Sequence, residues 1–326
     1  MRYLVAPDKF KGTFDAGEVA RAMAAGILDS GNDAIRLPVA DGGDGTAEAL
    51  LTAHGGEWVE VQSLDAIGRP VDARFAMLPE RTAVIEVAAA SGMWRLAKEE
   101  LSATTASSRG TGILMRRALE LGAEKLIVAP GGSATTDAGA GLLAELEGMP
   151  VDAEIVVACD VTAAFTDAAR IFAPQKGATP EEIEPLVRRL EETARTWPRD
   201  PARVPLTGCG GGISGALWSN FDAALVPGAA YVLDALGFDD RLEDADSVLT
   251  GEGRIDDQTL LDKAVAIVAR RARNAGRRCS AVVGARDLGE EARQALGLDS
   301  IRVAGTTEDI RAAAFELGSE RRSSWK

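Results

Sequence analysis

Histidine is all but missing from this sequence: His54 is the only one in 326 residues. It ends a predicted helix just before two glycines, a usual place for a C-terminal cap, so histidine-based hydrolase triads and histidine metal clusters are set aside. Cysteine is scarce as well. Cys159, Cys209 and Cys279 are odd in number, far apart and without a second Cys or His at ligand spacing, which describes neither a disulfide framework nor a zinc site. No apolar run reaches 18 residues, so no membrane helix is expected. The first residues read as a strand running into Pro7 and Asp8 rather than a charged-then-apolar leader, so a cytoplasmic location is expected. Positive charge is also short: 36 Lys plus Arg face 50 Asp plus Glu, a net charge of -14. That balance repels nucleic acid and anionic membranes, and no partner of either kind is expected.

What is present is an ordinary globular composition, 46% hydrophobic and 26% charged, in a chain longer than a single core usually supports. Arg2 to Ala6 is an apolar run closed by Pro7, which suits a buried strand. Asp15 and Glu18 have capping-box spacing, Val19, Met23 and Ile27 recur every four residues, and Gly31-Asn32 ends the helix so defined. A second strand over Ala34 to Val39 and a helix to about Ala53 imply a parallel sheet. From Trp58 the texture changes. Stretches near Trp58 to Gln62, Val71 to Met77 and Ala83 to Val87 read as an antiparallel meander. Helix and strand then alternate through Arg109 to Leu121, Lys125 to Ala129, Thr135 to Leu146 and Glu154 to Ala158. Thr179-Pro180-Glu181-Glu182 opens a further helix. Ser247 to Leu249, Cys279 to Val283 and Ile301 to Val303, around a helix from Thr259 to Ala275, are expected to complete the first sheet, with fraying after Glu320. The predicted class is α/β: a Rossmann-like parallel-sheet domain of residues 1–57 plus 238–326, a partly antiparallel α/β domain of residues 58–237 inserted in it, and an active site in the cleft between them.

Candidate chemistry lies in glycine-punctuated turns. Pro130-Gly131-Gly132-Ser133-Ala134-Thr135-Thr136-Asp137-Ala138-Gly139 follows a predicted strand and opens a predicted helix. This suits an anion site, with glycines for close backbone approach and hydroxyls from Ser133 and Thr135. Thr250 to Thr259 gathers Glu252, Asp256 and Asp257 beside Arg254, a mixture suited to Mg²⁺ and phosphate. Asp41-Gly42-Gly43-Asp44-Gly45-Thr46 repeats the device. Asp8, Lys9, Lys11 and Lys176 are isolated signals, and the hydroxyls from Thr104 to Thr111 fit either a cradle or a capped helix start. Gly210 to Gly215 formally matches a dinucleotide fingerprint without its strand, helix and acidic partner. There is no Gly-Lys-Ser/Thr P-loop and no His-Arg-Asp or Asp-Phe-Gly. The surviving groups are carboxylates, hydroxyls, Lys and Arg, which suffice for phosphoryl transfer because that reaction rests on positioning and charge neutralisation.

Taken in order, six blocks resemble the type II (bacterial) glycerate kinase family: Ala6 to Gly12, Ala40 to Thr46, Gly131 to Asp137, Val157 to Thr162, Pro174 to Ala178 and Thr250 to Asp256. Lys9 stands where that family commonly has Ser. The resemblance implies a two-domain α/β enzyme moving the γ-phosphate of ATP to D-glycerate with Mg²⁺, at the 2-hydroxyl in preference to the 3-hydroxyl. On that footing Gly131, Gly132, Ser133, Thr135 and Lys176 are expected at the ATP phosphates and Glu252 and Asp256 at Mg²⁺. Lys11 or Arg254 is expected to neutralise the acceptor carboxylate or the transferring phosphoryl group, with Asp41 or Asp137 as the base. A homodimer stays open. The rival readings are a catalytically silent ligand-binding relative and an NAD(P)-dependent oxidoreductase.

Overall fold

The computed structural model describes residues 1–256 and 263–323. Among them are eleven strands: β1 (Arg2–Pro7), β2 (Asp33–Arg36), β3 (Glu57–Leu64), β4 (Pro70–Leu78), β5 (Thr82–Glu86), β6 (Lys125–Ala129), β7 (Glu154–Cys159), β8 (Ala224–Pro227), β9 (Ser247–Ile255), β10 (Arg278–Arg286) and β11 (Ser300–Val303). The chain forms two compact units, Met1–Asp41 with Ala229–Lys326, and Gly42–Gly228. No helix among the described residues is long and apolar enough to cross a membrane.

The first unit holds a five-stranded sheet of order β11-β10-β9-β1-β2, parallel at every pairing. Helices on its faces explain why β1 is a continuous buried run rather than an alternating one. The helix Ala16–Asp29 starts as its sequence dictates: Glu18 N donates to Asp15 Oδ1 at 2.6 Å and Asp15 N to Glu18 Oε2 at 3.0 Å. Its buried Val19, Met23 and Ile27 pack with Tyr3, Phe10, Leu249 and Ile310. The C-terminal helix Thr307–Ser323 continues past Glu320, where fraying was expected.

The second unit carries a six-stranded sheet of order β3-β4-β5-β6-β7-β8. β3, β4 and β5 form the expected antiparallel meander, and β5 to β8 run parallel. The architecture is thus mixed α/β, one parallel sheet and one sheet with antiparallel strands. Phe75, Ile85, Leu114, Val128, Val157 and Ile213 lie in its main core, and a smaller cluster surrounds Phe165, Leu186 and Leu190.

Three expectations change. Residues 42–57 belong with the second unit, because the helix Thr46–His54 packs on β4 and β5, and residues 229–237 belong with the first. The helix expected from Thr135 begins only at Ala140, since Ala138 and Gly139 take left-handed φ values of 59° and 70° that no right-handed helix admits. The segment read as a turn from Thr250 is strand: β9 runs to Ile255 and pairs with β10 from Ser247 to Glu252 and again at Arg254 and Ile255. Its glycines serve close approach rather than turning, for a Cβ on Gly253 would stand 2.8 Å from Lys11 N and 3.1 Å from Phe10 Cα. Asp257, grouped above with Glu252 and Asp256, and Thr259, the expected helix start, lie outside the described residues; the helix that follows is Ala264–Asn274.

Candidate active site

In the second unit, turns converge at the C-terminal ends of β6 and β7, the edge where open parallel sheets bind ligands. A Cβ on Gly131 would lie 2.7 Å from Gly43 Cα and 3.0 Å from Asp160 Oδ2. Only glycine lets the turn after β6, the Gly42–Gly45 turn and the end of β7 meet so closely. The turn is bonded on several sides. Met93 N donates to Gly132 O (3.0 Å), Ala134 N to Ser91 O (2.8 Å) and Ala138 N to Gly211 O (3.1 Å), while Thr135 Oγ1 donates to Gly210 O (3.3 Å). Arg189 ties it to a further loop, with Nη2 donating to Thr136 O at 2.5 Å and Nη1 to Thr104 O at 2.9 Å.

Lys176 lies beneath this turn. It is 3% exposed and donates from Nζ to Ser133 Oγ at 3.0 Å and to Thr135 O at 2.6 Å. Burial lowers its pKa to about 8, against the opposing pull of Asp160, Asp137 and Cys209. Ser133, accepting from an ammonium, keeps its own O–H as a donor.

Asp137 is already engaged. Its carboxylate accepts from Ser108 N and Ser108 Oγ, both at 2.8 Å, from Gly139 N at 3.1 Å and from Gly141 N at 3.2 Å. Leu142 N then donates to Ser108 Oγ at 3.0 Å. The amides opening the helix Ala140–Leu146, expected to face a phosphate, are therefore satisfied by the chain's own carboxylate and hydroxyl. Gly131, Gly132, Ser133, Thr135 and Lys176 are brought together; Asp137 anchors them.

The first unit gathers carboxylates, with Lys9 beside them. Asp8 follows β1, is 9% exposed, and accepts at Oδ1 from Lys9 N at 2.7 Å. Burial and then the Asp41 carboxylate hold the Asp8 carboxyl well above the usual carboxylate range; Lys9 opposes this and Glu252 adds to it. Glu252 stands on β9, 6% exposed. Asp256 is half-buried just past β9, and Lys11 is exposed in the loop after β1. Arg254 is exposed and paired with Asp287, so it is directed to that partner in the structure. Among the described residues no three carboxylate, imidazole or thiol groups converge as a metal cage. Mg²⁺, however, is usually held by one or two carboxylates, with phosphates and water completing its shell. Hard oxygen donors with repelling charges fit that mode.

The Gly210–Gly215 fingerprint has no strand before it: a 3₁₀ turn over Cys209–Gly211 leads directly to the helix Ile213–Phe221. That removes the strand–turn–helix context of a dinucleotide site.

The profile of the Glycerate kinase family matches residues 3–154 and 148–317. The chain belongs to the glycerate kinase family. It is 36% identical over 319 residues to a glycerate kinase of Bacillus subtilis (strain 168), covering 84% of this chain and 82% of that one. It is 35% identical over 303 residues to a glycerate 2-kinase of Escherichia coli (strain K12), covering 81% and 80%. A crystal structure from Salmonella typhimurium LT2 assigned to glycerate kinase 2 superposes with a TM-score of 0.83 at 33% identity, covering 99% of both chains. The family is one of kinases, so the chain is an enzyme of that kind.

Three groups around this turn were not named as site residues from the sequence: Asp160 after β7, Arg189 in the helix Pro180–Ala194 and Ser108 at the start of the helix Arg109–Glu120. Asp160 carried a usable signal, a carboxylate directly after a predicted parallel strand and inside a block shared with the family. Arg189 and Ser108 carried little: each acts through backbone groups of distant segments, and neither has a spacing that announces it.

Proposed function

We propose that this enzyme transfers the γ-phosphoryl group of ATP to the 2-hydroxyl of D-glycerate, yielding ADP and 2-phosphoglycerate. The observation that carries the reading is the glycine turn Gly131–Thr135, held from below by Lys176 through Ser133 Oγ and Thr135 O at the ligand-binding edge of a parallel sheet. The names of the relatives support the acceptor, and the E. coli relative's name supports the 2-position.

Gly132 allows a phosphate to approach the backbone and Ser133 offers a hydroxyl, whereas the bare face of Gly131 is filled by Gly43 and Asp160 and the Thr135 hydroxyl is given to Gly210 O. Lys176 supplies positive charge that Ser133 passes outward. Glu252 and Asp256 are the proposed Mg²⁺ ligands, and the ion when bound would offset the charge of phosphate oxygens. Asp41 is the proposed base, and Asp137, with four donors of the chain on its carboxylate, is the proposed anchor of the turn. Asp41 accepts the proton of the acceptor hydroxyl as its oxygen bonds to the γ-phosphorus; the bond from that phosphorus to the β,γ-bridging oxygen breaks and ADP departs. Lys11 is preferred to Arg254 for the acceptor carboxylate, since Arg254 would first have to leave Asp287.

The test is ADP release from Mg-ATP with a panel of small hydroxy acids, followed by phosphorus NMR of the product. D-glycerate is expected to be turned over to a 2-phosphate. Turnover of another acid alone would overturn the acceptor, a 3-phosphate the position, and ATP binding without ADP release the catalysis.

A further inference from the structure

Trp94 is 64% exposed, although tryptophan is among the side chains most covered on average. It is nevertheless fixed. The indole N–H donates to Ala88 O at 2.9 Å, and the Arg95 guanidinium carbon stands 4.5 Å from the ring centroid. Arg95 is itself held, with Nε donating to Ala89 O and Nη2 to Asp72 O, both at 2.8 Å. One edge and one face of the indole are thus occupied, and its exposure belongs to what remains. Gly92 makes room for the ring, since a Cβ there would lie 2.9 Å from Trp94 Cδ1.

The segment bearing this ring is fastened to the glycine turn. Gly92 bridges to Ser133, and Met93 N donates to Gly132 O at 3.0 Å. Ala88, which accepts the indole proton, also has its Cβ 3.2 Å from where a Cβ on Gly132 would be. A rigid, open aromatic face fastened to the glycine turn matches the two ends of a nucleotide, a planar base and an anionic chain.

We infer that Trp94 is the stacking platform for the base of the nucleotide whose phosphates the Gly131–Thr135 turn receives. The inference rests on that reading of the turn. Stacking on an aromatic ring tolerates any base, because every base has a π-face, and its loss typically weakens binding about 5- to 150-fold.

The experiment is calorimetric titration of ADP and, separately, of inorganic tripolyphosphate into wild type, Trp94→Ala and Trp94→Phe. Trp94→Ala is expected to weaken ADP by about 5- to 150-fold, Trp94→Phe to keep most of the affinity, and tripolyphosphate to bind all three alike. In turnover, Trp94→Ala should raise KM for ATP and leave kcat at saturation unchanged. ADP affinity in Trp94→Ala within about twofold of wild type, with tripolyphosphate binding intact, overturns the inference and leaves the phosphate turn standing. Failure of the wild type to bind tripolyphosphate overturns the phosphate reading and the inference with it. Loss of self-association in Trp94→Ala at unchanged ADP affinity overturns it in favour of a contact between copies of the chain.

Discussion

The two units treat polar groups in opposite ways. Around the Gly131–Gly139 turn most are matched, two atoms excepted: Asp137 takes four donors, Lys176 gives to two acceptors, and Arg189 to two carbonyls. Thr136 Oγ1 and Arg189 Nε are buried there without a hydrogen-bond partner. In the first unit, Asp8, Asp41 and Glu252 are set so that their charges repel. One region has spent its hydrogen bonds on geometry, as pre-organised phosphate recognition requires. The other stores negative charge that a cation or a proton would relieve.

The sharpest way to break this comparison is to exchange carboxylates between the two roles. Asp41→Asn should lower kcat by about 10² to 10⁴, as removal of a positioned base does, and leave the unfolding midpoint near wild type. Asp137→Asn should do the reverse in kind: a loss of about 1.5–3 kcal/mol in chemical denaturation, from disrupting charge-assisted hydrogen bonds, with activity falling only as the turn loosens. Equal effects of the two substitutions on both readouts would abolish the distinction.

Lys176→Met should lower kcat/KM for ATP by about tenfold or more, the effect of losing the charge beneath the turn and its charge-assisted hydrogen bonds to Ser133 and Thr135. It also has a signature in pH. The folded pKa of about 8 lies below the unfolded value of about 10.4, so between them the unfolded chain binds more protons. Stability of the wild type should therefore rise with pH across that window, by about 3 kcal/mol, relative to Lys176→Met. Denaturation at pH 7 and pH 10 in both proteins measures it.

Two smaller effects sharpen the account of the first unit. Gly253→Ala should cost about 1–3 kcal/mol, the usual penalty of overpacking, because its methyl would press on the Phe10–Lys11 backbone. In an open turn the same change would be near neutral. Asp8→Asn should raise the thermal midpoint, the more so as pH rises, by removing a carboxyl whose ionisation is opposed by burial, Asp41 and Glu252.

Much of this was legible in the sequence, unevenly and for physical reasons. The helix Ala16–Asp29 and strand β1 announce themselves because a capping box, a four-residue repeat and an apolar run are local signals. The meander β3–β5 was visible by its alternation and turns. The segment from Thr250 misled because glycine has two uses: Gly251 and Gly253 look like turn residues, yet they admit neighbouring backbone to a strand. The turn after β6 stands out by its glycines and hydroxyls, but the bonding of Asp137 does not, because its donors come from Ser108, Gly139 and Gly141, and the Ser108 pairing exists only after folding. Lys176 was singled out by its motif; its burial and its grip on Ser133 are tertiary facts.

The central claim is that phosphate is received by the Ser133–Lys176 turn and not by the charged end of the other unit. It is tested most directly by calorimetric titration of ATP, without divalent cations, into wild type, Lys176→Met and Glu252→Gln. The account predicts that Lys176→Met weakens ATP by about tenfold or more, while Glu252→Gln binds as tightly as wild type or more tightly, having lost a negative charge. Unchanged binding in Lys176→Met together with a loss in Glu252→Gln would contradict it.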